Sequence, residues 1–279
     1  MIQVLCAALL WGFAGAFAGR LMGGTLEPSI LVPLRFFGSF LLLLPLVWRF
    51  PPKKTEFVRL LAIGLALTLT QVTYYLAIHK SSVATGLFLQ YMAPVLLTVY
   101  ALIRKERLSR TKLLGIGCAV VGAYFLVIGS QGLVGEAVGI LYGLASAVMF
   151  ATFSYLGMGM RTTPVTVLGI SMGIGSLLSL PLTPWQQVLS LSILDIVAVA
   201  YIVVFGTVVP FGLFLWGVRK IPARIATLVA MIEPVCGAIA AIFLVGQLLS
   251  PQAVFGGGLI LFGVWLNTYS LRGVRSERQ

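Results

Sequence analysis

Two ionisable side chains, Arg35 and Glu233, sit within a few residues of the centres of long apolar runs. A charge in mid-bilayer costs about 2.5–3.5 kcal/mol on insertion scales, so such groups face a bundle interior and are functional candidates by default. A glutamate there can bind an ammonium group, or take and release a proton; it can equally be a structural carboxylate held by a neighbouring helix. An arginine can clamp a carboxylate through its planar fork. For Arg35 a structural role is favoured, either pairing with Glu233 or capping broken backbone near Pro33, because charges inside bundles find partners.

Other polar and aromatic groups gather at helical spacing. Thr68, Gln71 and Tyr75 share one face, with Tyr74 beside them, and Gln90 and Tyr91 stand one turn before Pro94. Spacings of three and four bring side chains together on a helix. They can line a path for a small substrate or bond across helices, the latter worth about 0.6 kcal/mol on average. Trp11 and Trp216 are candidates for the same lining, whereas Trp48 and Trp185 read as interface anchors. Pro94, Pro210 and Pro234 interrupt backbone bonding in mid-run, supplying carbonyls and bends that a moving protein can use, or fixed kinks. Ala226, Ala230, Gly237 and Ala241 share the face of Glu233, where small side chains permit close packing or a cavity.

The chemistry of a soluble enzyme is missing. The sequence has no HExxH, P-loop, nucleophile elbow or paired-carboxylate motif. Cys6, Cys118 and Cys236 lie far apart without CxxC spacing and read as small apolar fillers, so no cofactor, metal or disulfide is expected.

The elements that position these residues are membrane spans. Hydrophobic residues make up 59% of the 279 and charged residues 9%, where a soluble domain carries about a quarter charged. Backbone groups in lipid must bond internally, which leaves helices or closed barrels, and continuous apolar runs exclude the alternating pattern of a barrel. Ten spans are expected, at 2–19, 28–48, 57–78, 83–103 and 113–129, then 137–157, 165–182, 193–216, 225–245 and 253–271. Ala16-Phe17-Ala18 resembles a signal-peptidase site, but no basic region precedes the apolar run, so the first span is read as retained.

Of the nineteen Lys and Arg, all but Arg20, Arg35 and Lys80 fall at alternate span ends. Basic residues favour the cytoplasmic side, so both termini are expected there. The net charge of +12 therefore reflects span-flanking turns near anionic headgroups rather than a nucleic-acid surface.

The chain also repeats itself. Residues 82–122 return as 222–263, with Pro94 over Pro234 at an offset of 140 and Gly115, Gly117 and Gly122 over Gly256, Gly258 and Gly263 at 141. The match runs backwards too, YYLAIHKSSVATG lying over FLWGVRKIPARIA. Two units follow, 1–130 and 135–272, with a cytoplasmic tail at 273–279. Five spans per unit turn the second copy upside down, an arrangement used for alternating access around a midplane site. The glycine-rich fifth and tenth spans either pack together or form a homodimer contact.

In order and spacing, Trp11-Gly12, Arg35, Pro94 followed by Glu106-Arg107-Leu108, the fifth-span glycines and Glu233-Pro234 resemble the EamA type of the drug/metabolite transporter superfamily. The resemblance covers essentially the whole chain. It implies an all-α integral membrane fold of ten transmembrane helices in two inverted five-helix repeats. It also implies a multi-pass carrier of the inner or plasma membrane that moves small organic metabolites, with amino acids or related amphipathic compounds as substrate and export as direction. A multidrug exporter or an uptake carrier of the same superfamily is the alternative, and a membrane-embedded enzyme a remote one. One departure is plain: Glu106 closes the fourth span, whereas the matching position in the second half is Gly246, where the family often has another glutamate.

Overall fold

The computed structural model describes residues 1–22, 27–129, 133, 135–245 and 249–276. Among them there are helices and turns and no strand. The first half comprises α1 (Ile2–Met22), α2 (Pro28–Arg49), α3 (Phe57–Lys80), α4 (Val83–Gln90), α5 (Ala93–Ile103) and α6 (Arg110–Ala123). The second comprises α7 (Ala137–Gly157), α8 (Pro164–Ser179), α9 (Trp185–Leu189), α10 (Ile193–Tyr201), α11 (Val209–Val218), α12 (Ala223–Ala230), α13 (Glu233–Val245) and α14 (Pro251–Ser276).

Eight stretches of described helix are long and apolar enough to cross a membrane, from Pro28–Arg49 to Ala223–Leu244. α1, with 21 residues, and α14, with 26, have the length for two more, which is compatible with ten. Two prolines stand where they cost least: Pro28 and Pro164 open α2 and α8, where a missing N–H is harmless.

Two spans are broken in mid-membrane, at equivalent places. α4 and α5 are separated by a turn at Tyr91-Met92, and α12 and α13 by one at Met231-Ile232. Pro94 and Pro234 lack the N–H that the carbonyls of Gln90 and Ala230 would receive, so the chain tightens to three-residue bonds, Met92 N to Leu89 O at 3.0 Å and Ile232 N to Val229 O at 3.1 Å. Two further segments, Tyr124–Ile128 after α6 and Ile202–Val208 between α10 and α11, are wound as π-helix. Neither was foreseen from the sequence.

The two halves interlock. α1 packs on α10, α11, α12 and α13, all from the second half, while α7 packs on α3, α4 and α5 of the first. Gly169, Gly173 and Gly175 of α8 receive Val47, Phe40 and Phe36 of α2. The fifth and tenth spans pack within one chain: Gly122 meets Gly256, and Gly115 meets Gly263, so closely that a Cβ at Gly122 would lie 2.5 Å from the Gly256 carbonyl oxygen. Gly122 thus meets the repeat counterpart of Gly115, and Gly115 meets that of Gly122, the crossing expected of antiparallel copies.

The basic residues gather at one end of the bundle. There Glu56 accepts from the backbone of Arg161 at 2.9 Å and from Thr162 at 2.8 Å, and Arg59 donates to the carbonyls of Leu156 and Met158. Arg219 reaches the Met160 carbonyl at 2.6 Å. Val4 packs on Gly217, and the N-terminal amine is held below its usual pKa by burial and then by the charge of Lys220. The opposite end holds Lys80, paired with Glu136 at 3.7 Å.

Candidate functional site

Arg35 is buried on α2 and bound to the π-helical segment of the other half. Its Nε donates to Thr207 Oγ1 at 3.1 Å, Nη1 to the Tyr75 hydroxyl at 2.6 Å and Nη2 to the Gly206 carbonyl at 3.4 Å. The guanidinium also lies 5.7 Å from the centre of the Tyr75 ring. The Gly206 carbonyl is available because Pro210, four residues on, has no N–H to give it. Thr207 in turn donates to Ile202 O at 2.9 Å, closing the wide π turn. Arg35 therefore caps broken backbone, though at Pro210 rather than at Pro33, and it makes no ion pair with Glu233 within 4 Å.

Glu233 opens α13 at the second helix break and stands within electrostatic reach of Arg35, Tyr74, Tyr91 and Cys236. The Tyr91 hydroxyl is its neighbour, buried and without a partner in hydrogen-bonding geometry among the described residues. Tyr91 belongs to the first helix break and Glu233 to the second, so the two interrupted spans bring their breaks together. The rings of Tyr74 and Tyr75 meet edge to face at 5.4 Å, completing an aromatic flank on α3.

α1 closes the other side. Gly12 lies so near α13 that a Cβ there would come within 2.5 Å of the Glu233 carbonyl oxygen and 2.8 Å of the Gly237 nitrogen. The small residues on this face thus serve close packing at Gly237. Trp11 leans on Phe211 and Phe214, at 4.8 and 5.7 Å between ring centres, and these join Phe150 and Phe153 in an aromatic floor.

Of the residues singled out from sequence, Arg35, Tyr75, Tyr91 and Glu233 come together, with Trp11 adjoining through Gly12. Gln71 is buried on α3 one turn from Tyr75 and makes no hydrogen bond among the described residues. Gln90 flanks the first break, half-buried. Trp216 does not adjoin the group: it is 48% exposed on α11, with Lys220 above its ring. Pro94, Pro210 and Pro234 all stand at breaks in α-helical winding. Thr207 and Gly206 escaped sequence reasoning; the signal available was Pro210 and the carbonyl it leaves free. No group of His, Cys, Asp and Glu that could hold a metal occurs among the described residues.

The arrangement is one carboxylate and one guanidinium, held apart in an aromatic frame between two helix breaks.

Comparison with known proteins agrees with this architecture. A solved structure superposes with a TM-score of 0.77 over 97% of this chain and 98% of its own, at 19% identity, and so shares the fold. An uncharacterised inner-membrane transporter of Salmonella typhimurium is 29% identical, covering 95% of this chain and 94% of its own. A protein of the same organism named as a probable amino-acid metabolite efflux pump is 25% identical, covering 91% and 89%. The EamA-like transporter family profile matches twice, at residues 1–128 and again at 137–269. Two matches spanning nearly the whole chain, on an all-helical multi-pass fold with Arg35 buried between its halves, establish that this membrane transporter belongs to the EamA-like transporter family.

Proposed function

We propose that the protein exports amino acids or closely related amphipathic metabolites across the inner or plasma membrane by alternating access. Its two inverted five-helix repeats, 1–130 and 135–272, rock about the Arg35–Glu233 cluster, and the basic end, with both termini, faces the cytoplasm. The observation that carries this reading is the meeting of Tyr91 and Glu233 at two helix breaks, one from each half. A site built on broken helices at the boundary of two repeats changes its exposure whenever the repeats move.

Glu233 receives the ammonium group of the cargo and Tyr91 supplies an unspent hydroxyl. Arg35, with three of its bonds committed to Tyr75, Thr207 and Gly206, supplies compensating charge rather than a full carboxylate clamp. Trp11, Tyr74 and Tyr75 give flat apolar surface to a side chain or to a cation. The relative named as an amino-acid metabolite efflux pump supports the choice of cargo.

Export is tested by loading cells with radiolabelled amino acids and following efflux with and without the protein, at two external pH values. Expression should speed efflux of at least one amino acid, and Glu233→Gln, at equal abundance, should remove its dependence on the pH gradient. Faster entry instead of exit would make the protein an uptake carrier. An effect confined to hydrophobic cations would make it a multidrug exporter.

A further inference from the structure

The helix pairs that close the two ends of the bundle are not equivalent. By the 140-residue offset, α5 corresponds to α13 and α12 to α4. At the basic end α5 packs on α12. The symmetry-related pair at the other end is α13 with α4, and no comparable packing joins those two among the described residues. Among the described residues, α5 and α12 are thus drawn together at the basic end, and α13 and α4 are not at the opposite one.

Side chains fasten the closed end. Glu106 Oε2 accepts from Arg224 Nη1 at 2.7 Å, tying the turn after α5 to the first turn of α12. Tyr100 of α5 and Tyr155 of α7 touch edge to face, 5.1 Å between centres, with their hydroxyls 3.4 Å apart. Together with Lys220 these groups surround a notch of about 410 Å³ at the basic end. The turn that presents Glu106 is set rigidly: Lys105 takes a left-handed conformation, φ 59°, while Lys105 N bonds Leu102 O at 2.8 Å and Glu106 N bonds Ala101 O at 2.9 Å. This is the double closure of a Schellman turn, built on lysine where glycine would be strain-free.

The repeat does not duplicate this ion pair. At the position equivalent to Glu106 the second half has Gly246, and at the position equivalent to Arg224 the first half has Ala84. Both members of the ion pair are missing from the copy.

We infer that Glu106 and Arg224 form a latch present at one end only, and that it biases the unloaded transporter towards the state closed at its basic end. They act as positioning residues: neither touches the Glu233 site, and each sets the balance between the two states that expose it. The inference rests on the alternating-access reading.

The test uses the full-length protein in proteoliposomes without cargo, with Cys6, Cys118 and Cys236 replaced by alanine. One reporter cysteine is placed at Ala101, 2% exposed behind the latch, and in a second preparation at Leu87 on α4. Labelling rates with a charged maleimide are compared for the latched protein, Glu106→Gln, Arg224→Gln and the swapped pair Glu106→Arg with Arg224→Glu. Breaking the latch should raise labelling at position 101 about two- to five-fold, the range a partly exposed ion pair commands. Labelling at position 87 should fall, and the swapped pair should restore both rates. Unchanged rates, or a rise at both positions, would overturn the latch, the second outcome marking a merely structural tie. A rise at position 101 reversed by the swap, with position 87 constant, would uphold the latch and remove the alternating-access reading instead.

Discussion

Arg35 and Glu233 are both intramembrane charges, yet the structure separates their duties. Arg35 is consumed by Tyr75, Thr207 and Gly206, and the last two acceptors exist in usable form only because the chain is π-wound and Pro210 follows. Lysine has three donors on one nitrogen and cannot span acceptors so far apart. Interhelical bonds in membrane proteins average about 0.6 kcal/mol and reach about 1.7, so Arg35→Lys should destabilise by about 1–3 kcal/mol and Arg35→Ala by at least as much. Thermal unfolding in detergent reads this as a midpoint several degrees lower; an unchanged midpoint would contradict the strut role. That Arg35 and Glu233 face the interior was legible in the sequence, because lipid excludes both. That Arg35 serves Gly206 and Thr207 was not, since a contact across 171 or 172 residues leaves no local trace. Trp216 stands apart from this group for a similar reason: the aromatic type marks a lining or a lipid-facing ring equally well, and only the rotation of α11 decides.

Helix breaks and helix contacts carry the next level. Proline at Pro94 and Pro234 announces a break, and the structure has one just before each. The π-helical segments Tyr124–Ile128 and Ile202–Val208 were invisible, because winding with one extra residue follows from packing and not from composition. The glycines divide by what faces them. Gly122 and Gly256 each lie against the other's backbone, whereas Gly117 and Gly258, equally glycine and equally matched in the repeat, face open space. Gly122→Val or Gly256→Val should therefore push α6 from α14 and cost about 1–3 kcal/mol or more. Gly117→Ala and Gly258→Ala should be neutral or gain up to about 1 kcal/mol from helix propensity. Comparing the four midpoints checks this; equal costs at all four would mean that α6 and α14 are not joined as described.

Across the whole molecule, the interlock of α1 with the second half and α7 with the first makes the two copies one body with a shared interior. The repeat offset and the one-sided distribution of lysine and arginine were legible before any coordinates, because inheritance and the positive-inside bias both write themselves into sequence. Which end is closed was not legible, since it depends on how α5 meets α12 and on the absence of comparable packing between α13 and α4 among the described residues. The latch at Glu106 and Arg224 belongs to this scale, for it acts on the balance between two arrangements of the bundle. So does the central claim, that the breaks joined at Tyr91 and Glu233 hold a cargo that the halves expose by turns. Counterflow in proteoliposomes tests it most directly, with the interior loaded with one class of unlabelled amino acid and entry of the labelled counterpart followed over time. The account predicts saturable counterflow for at least one class, at least tenfold weaker in Glu233→Ala at equal reconstitution. Counterflow undiminished in Glu233→Ala, or none for any amino acid from protein shown to be folded, would contradict it.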